Sequence, residues 1–591
     1  MSLSLLHNAN IISTNPNPLR TLRTPSSISQ SFASKRLGIT HISCEQKQQD
    51  SVTTDGTIDR RNVLIGLGGL YGAASSVATG ANMASAIPVG PPDLTKCQPA
   101  TDAETKLHVN CCPPTYASYD IFDFKPPPQN SQLRVRPPAH KYNSEQLAKF
   151  KEAVRLMKAL PDDDPWSYKN QATIHCTYCN GAFNQAGSNV LLQVHGSWLF
   201  LPWHRYYLYF WEKILGKLIN DPNFAVPYWN FDNPEAMSMP TMYLDPTSSI
   251  YDDLRNHDHY SALLDLNYAY TDKGNPTAEE TAKIIEANQS TMHKVFEATT
   301  NNPELFMGKP ILAGEAVNET SFGSLENLHN TLHMWSGSTV SPYHNMGNFY
   351  TAARDTLFFG VHGNVDRLWD YYSRNRDYKV EFNQEDWLQA SFVFYDENHK
   401  LVKCKVKDCL TPQSLGYTYS VEKQDNARVH RKYLKRRKAE KSKTRSQTLS
   451  QVSAFGTKAR ALDSTIRVLV PRPKVSRTKV DKEDATEIVI IDDIQMEHSK
   501  PSRFDVYLAK PIEGLVSSDL GELVGSFVNV AHTHTHTGSG TEAKMVLQLG
   551  ITSLIDDIEA EHSTKLVVSL VPRLGELTVG GVSIILLATQ D

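Results

Sequence analysis

The stretch that decides how this chain is read is Leu328-His329-Asn330-Thr331-Leu332-His333-Met334-Trp335. Its apolar flanks predict a buried helix, and residues four apart on a helix lie one turn apart on one face. His329 and His333 so placed present two imidazoles to one transition metal. A third candidate, His362, follows in Phe358-Phe359-Gly360-Val361-His362-Gly363-Asn364-Val365-Asp366-Arg367, and His175, His195 and His204 make a second trio upstream. One histidine among aromatics is more simply a packed core residue. Six in two sets of three suggest two metals, and with them oxidative or hydrolytic chemistry.

Copper and zinc both accept three neutral imidazoles. Each ligand needs an acceptor for its second ring nitrogen. Asp366, one turn beyond His362, could be that acceptor or could orient Arg367; Asp355 and Glu326 are other nearby carboxylates. A dizinc hydrolase or a di-iron bundle calls for bridging carboxylates, whereas an all-imidazole set suits copper cycling between Cu(I) and Cu(II).

The 591 residues allow several domains, and the composition (40% apolar, 21% charged) is that of a globular enzyme. A formal net charge of −4 argues against a nucleic-acid binder. Five of the eight cysteines fall between 97 and 179, which reads as disulfides in an oxidising compartment. Cys176-Thr177-Tyr178-Cys179 could also be redox-active or bind zinc, although no second CxxC accompanies it.

Residues 1–45 have the composition of a plastid transit peptide, with no acidic residue before Glu45. In residues 46–86, Arg60-Arg61 precedes a small-residue apolar run ending Ala84-Ser85-Ala86, as in a twin-arginine transfer signal. A membrane anchor is the rival reading, but the run is only modestly apolar, so no stable membrane insertion is expected. The two signals in series point to the chloroplast and then the thylakoid lumen.

Residues 87–420 alternate helices, predicted over 144–160 with a Ser cap and over 203–218, with long Pro- and Asn-rich loops. Residues 421–462 turn basic, from Arg431-Lys432-Tyr433-Leu434-Lys435 onward; a solvated, protease-sensitive linker fits better than a nucleic-acid or membrane patch. Residues 463–591 carry short β-like runs at 466–470, 487–491, 504–508, 544–549, 565–571 and 582–588, a β-sandwich pattern. His532, His534 and His536 alternate with threonine: a copper-loading site, or more simply a solvent-facing polar strand or loop.

The chain resembles the plant polyphenol oxidases of the tyrosinase and catechol oxidase family over nearly its whole length. The motifs are His175-Cys176-x-x-Cys179-Asn180-Gly181, Leu201-Pro202-Trp203-His204-Arg205, His329-x-x-x-His333, and Asp355-x-x-Phe358-Phe359-x-x-His362-x-x-x-Asp366-Arg367-Leu368-Trp369. Tyr417-Thr418-Tyr419 and Arg503-Phe504-Asp505-Val506-Tyr507 match the motifs that close the catalytic domain and mark the C-terminal domain. The resemblance implies a mainly α catalytic domain, a helical bundle with long loops around a dinuclear (type-3) site of two copper ions, plus a C-terminal all-β sandwich that covers the site and keeps the enzyme latent. It assigns His175, His195 and His204 to one copper and His329, His333 and His362 to the other. It implies a thioether from Cys179 to the His195 ring, and disulfides Cys97–Cys112 and Cys111–Cys176. Cys404 and Cys409 are close enough for a further bridge.

Phe349 matches the phenylalanine over the coppers, Glu326 the residue that holds a water beside phenols, and Asn330 the position linked to monophenol activity. Three departures stand out: Asp355-Thr356 replaces Asp-Pro, Val361 replaces a histidine before His362, and Glu326 lies three rather than four residues before His329. The implied reaction is oxidation of o-diphenols to o-quinones with reduction of O2 to water, with small phenols as substrates and a protease for maturation. The resemblance leaves added monophenol hydroxylation open, as it does a specialised aurone- or lignan-forming oxidase. A haemocyanin-like oxygen carrier fits the plastid-type signal poorly.

Overall fold

The computed structural model describes residues 88–589 apart from 102–107, 114–119, 130, 180, 269–275, 298, 300–301, 316–318, 375–383, 423–448, 512–514, 518–519 and 533–543. The two targeting segments and the basic run at 431–438 therefore lie outside the described residues. Among the described residues no helix is long and apolar enough to cross a membrane.

Among the described residues, six helices of 12 or more residues build the first half: α1 (Ser144–Lys158), α2 (Tyr168–Cys179), α3 (Phe200–Leu218), α4 (Ala278–Glu297), α5 (Ser324–Ser336) and α6 (Leu357–Arg374). Helix α1 buries Phe150, Ala153, Val154 and Met157, a stripe at helical spacing. Its cap is Asn143, not the serine expected: the Asn143 side chain accepts from the Gln146 N–H, and the Gln146 side chain accepts from the Asn143 N–H. Helix α3 is buried on nearly every side, and its Trp211 stacks on Phe359 of α6 with centroids 3.6 Å apart. Helix α6 comes so near its neighbours that a Cβ on Gly360 would stand 2.8 Å from the Tyr243 hydroxyl.

Charge ties the same two helices together. Arg205 of α3 and Asp366 of α6 form a buried ion pair, and Asp366 also accepts from the hydroxyls of Tyr417 and Tyr419. Arg367 turns away to Asn364, Asn230 and Asp232. Disulfides join Cys97 to Cys112 and Cys111 to Cys176, as the resemblance implied. Cys404 and Cys409, by contrast, are free and buried. One apolar cluster runs from Val89 to Tyr419.

A second cluster fills the C-terminal half. Its strands are β1 (Leu449–Gln451), β2 (Arg460–Ala461), β3 (Ile466–Pro471), β4 (Ala485–Met496), β5 (Ser502–Ala509), β6 (Leu515–Ser517), β7 (Glu522–Asn529), β8 (Lys544–Gly550), β9 (Lys565–Leu574), β10 (Leu577–Val579) and β11 (Gly581–Ala588). One sheet runs β2-β10-β4-β8 with β11 also on β4; the other runs β3-β9-β5-β7. Strands β1 and β2, and Phe455 packed on this core, place 449–461 in the β half, inside the span expected as linker.

The halves share a long seam. Glu319–Thr320 of the first half pairs in parallel with β8, and Phe322 lies in the C-terminal core. Strand β7 lies against α5, the helix that carries His329 and His333.

Candidate metal centre

Helices α2 and α3 deliver His175 and His204; His195 comes from the loop between them. The three ring centroids form a nearly regular triangle, with separations of 5.4, 5.4 and 5.6 Å. Helix α5 supplies His329 and His333, and α6 supplies His362. Their ring nitrogens nearly converge: the His329 Nε2 is 2.7 Å from that of His333 and 2.9 Å from that of His362. The ligand atoms of His175, Cys179, His195 and His204 lie within 4.8 Å of one another, as do those of His329, His333 and His362. The triads face each other, with His204 stacked on His362 at 4.1 Å.

The outer nitrogens show which atoms point inward. The Nδ1–H of His175 donates to the Phe349 carbonyl at 2.8 Å, that of His204 to Phe200 at 2.7 Å and that of His333 to Met346 at 2.7 Å. His329 Nδ1 faces the Glu326 carbonyl and the Asn330 Oδ1 at 3.3 and 3.2 Å. Main-chain carbonyls and one amide therefore hold these rings. The carboxylates expected in this role are engaged elsewhere: Asp366 by Arg205 and Asp355 by Arg255 in a two-pronged pair. Such partners fix the ring and leave Nε2 as the ligand atom.

The inner nitrogens have a different character. His175 Nε2, His204 Nε2 and both nitrogens of His195 are buried with no hydrogen-bond partner among the described residues. Burial pulls all six imidazoles below their usual pKa, to about 3 for His175 and about 4 for His333. They are neutral lone-pair donors at physiological pH. With the Nδ1 atoms of His329 and His333 both facing acceptors, their Nε2 lone pairs meet at 2.7 Å without a proton between them, which is unfavourable unless a cation joins them. The donor set fits two soft-to-borderline ions with three imidazoles each.

Around the triads, Phe349 lies flat on His195, 4.4 Å between centroids and 9° between planes. Glu326 takes the Gly196 N–H on both carboxylate oxygens, at 2.9 and 3.0 Å. Gly196 has φ +66°, a turn that favours glycine, so the contact holds the loop carrying His195. Burial raises the Glu326 pKa well above the carboxylate range. Cys179 is a buried free thiol. The Asn330 amide donates to the Val528 carbonyl of β7 at 3.0 Å, and Val361 is fully buried.

One contributor was missed in the sequence. The Phe349 N–H donates to the Ala531 carbonyl at 3.0 Å, and the ring of His532 lies 5.4 Å from that of Phe349. His532 is buried, not solvent-facing as expected; His534 and His536 lie outside the described residues. The alternating histidines hinted at a special segment, but nothing local showed what it would meet.

A model of the common central domain of tyrosinase matches residues 165–375. The polyphenol oxidase middle domain matches 381–433, and the chloroplastic polyphenol oxidase C-terminal domain matches 458–586. A chloroplastic polyphenol oxidase of Vitis vinifera is 41% identical over 99% of this chain and 98% of its own length. The chloroplastic (+)-larreatricin hydroxylase of Larrea tridentata is 40% identical over 96% and 97%. The structure of latent apple tyrosinase aligns with a TM-score of 0.70 at 40% identity, covering 79% of this chain and 100% of that one. The sequence motifs, the paired histidine triads and these matches together make the chain a member of the plant polyphenol oxidases of the tyrosinase family.

Proposed function

We propose that this protein is a dicopper oxidase that converts o-diphenols to o-quinones while O2 is reduced to water, and that its C-terminal half holds it latent. The observation that carries this reading is the pair of facing triads, the inner nitrogens of one unpartnered among the described residues and those of the other converging on each other. His175, His195 and His204 would hold one copper, and His329, His333 and His362 the other. A copper pair supplies reversible electron transfer, two electrons from each catechol and four to each O2 over two turnovers.

The chain's own residues do the rest. Burial keeps the imidazoles neutral. Phe349, lying on His195, offers a face for a phenol ring and narrows the approach. Glu326 steadies the His195 turn through the Gly196 N–H. Asn330 orients His329 from its Nδ1 side. A Cys179 thioether to the His195 ring would lock the one ligand that no helix carries. Ala531 and His532, seated at Phe349, fill the approach assigned to phenols, and a protease acting within 423–448 would release them. The location we assign is the chloroplast and, within it, the thylakoid lumen.

A second reading is a specialised phenol hydroxylase. The (+)-larreatricin hydroxylase matches about as well as the polyphenol oxidases, so overall identity does not choose between them, and monophenol hydroxylation belongs to either. The test combines metal analysis with oxygen uptake on catechol and on monophenols, before and after cleavage within 423–448. Two coppers per chain and catechol oxidation that rises on cleavage are expected. Zinc in place of copper, or no catechol oxidation after cleavage, would overturn the proposal.

A further inference from the structure

Among the described residues, strand β7 has a sheet neighbour, β5, on one side only. Bare strand edges are templates for pairing and are normally covered. Here the cover is a helix face. The Asn327 Oδ1 accepts from the Val528 N–H at 3.0 Å, and its Nδ2 donates to the Ser526 carbonyl. Three residues on, on the same face of α5, the Asn330 Nδ2 donates to the Val528 carbonyl at 3.0 Å. Lys294 of α4 donates to the Leu523 carbonyl, and the Phe349 N–H to that of Ala531 at 3.0 Å.

On the β7 side, all five of these contacts use main-chain atoms. The side chains of Val524 and Phe527 belong to the core of their own half. Apart from the His532 ring on Phe349, the helical half therefore meets this segment as an extended backbone, in the manner of strand addition, where main-chain bonds supply affinity and side chains supply selectivity.

We propose that this face, once freed of the C-terminal half, is a docking site for an extended peptide recognised through its main chain. Its occupant after cleavage is the segment Glu522–His532 of a released C-terminal half. The proposal rests on the latency reading only in that cleavage lets the halves part.

The folded full chain is cut within 423–448, the C-terminal piece is removed, and the metal-free remainder is titrated with a fluorescent Glu522–His532 peptide read by anisotropy. A peptide with threonine at positions 524 and 527 should bind within about threefold of the native one. N-methylation at Val528, or Asn327→Leu in the protein, should each weaken binding about tenfold, since each removes main-chain contacts. Absence of binding, loss of binding on the threonine changes, or indifference to N-methylation and to Asn327→Leu would overturn the proposal.

If the separated half loses its cooperative melt, the cut but unseparated protein serves instead. Asn327→Leu should speed exchange of a labelled C-terminal piece about tenfold, and an unchanged rate would overturn the proposal. Latency is read separately. If the peptide binds as expected but cleavage does not raise catechol oxidation, the docking site stands and the latency reading falls.

Discussion

Asp366→Ala is the sharpest test of how the metal helices are held. The carboxylate is buried beside Arg205, and Arg136 lies 3.5 Å from it. It is also the acceptor for the hydroxyls of Tyr417 and Tyr419. Removing one partner of a buried ion pair costs about 3–5 kcal/mol, and stranding two buried hydroxyls adds about 1 kcal/mol each. The expected loss is thus about 5–7 kcal/mol. The core from Val89 to Tyr419 spans about 330 residues, for which the unfolding entropy is about 0.7 kcal/mol per degree. Tm should fall by about 7–10 °C.

The loss should reach the metal as well, because Arg205 adjoins His204 and Asp366 lies one turn past His362. Calorimetry of the full chain reads the first effect, and copper content after dialysis reads the second. Asp366→Asn, which keeps an acceptor but not the charge, should fall between alanine and the native residue. A Tm drop below about 2 °C for Asp366→Ala, with copper retained, would refute the reasoning.

His333→Ala should retain the fold and lose one copper of two, seen as a halved metal content; loss of both, or of neither, would argue against independent triads. Phe349→Ala removes the ring stacked on His195; with aromatic pairing worth about 0.5–1.5 kcal/mol, KM for catechol in the cleaved enzyme should rise roughly 2- to 13-fold. Burial raises the Asp252 pKa from 3.8 to about 6. Its favourable protonated form adds stability in full below pH 3.8, and this is lost as pH rises through 6, a swing of at most about 3 kcal/mol. The stability advantage of the native protein over Asp252→Asn, taken from denaturant unfolding at pH 4 and pH 7, should therefore shrink by up to that amount at the higher pH.

The six β-like runs after residue 463 each became a strand because alternation on a half-buried surface is a local signal. Strand β7 has no such signal: Glu522-Leu523-Val524-Gly525-Ser526-Phe527 breaks alternation at Gly525, and three bonds to its outer edge come from asparagines 198–201 residues away. The six histidines were legible from spacing and setting. Their supports were not, because carbonyls such as those of Phe349 and Met346 carry no sequence signature, and Asp366 looked like a ligand's partner until Arg205 was seen to claim it. For Glu326 only an altered spacing is visible in the sequence; the grip on Gly196 depends on the fold.

The bridge between Cys111 and Cys176 has a consequence for how the two metals are kept. Cys176 directly follows His175, and the bridged sulfurs pack with Tyr350, the neighbour of Phe349. No cysteine adjoins His329, His333 or His362. A thiol reductant would therefore slacken one end of the centre while leaving the other braced. Occupancy of the site proposed for the first copper is thereby expected to depend on an oxidising environment, and that of the second not to.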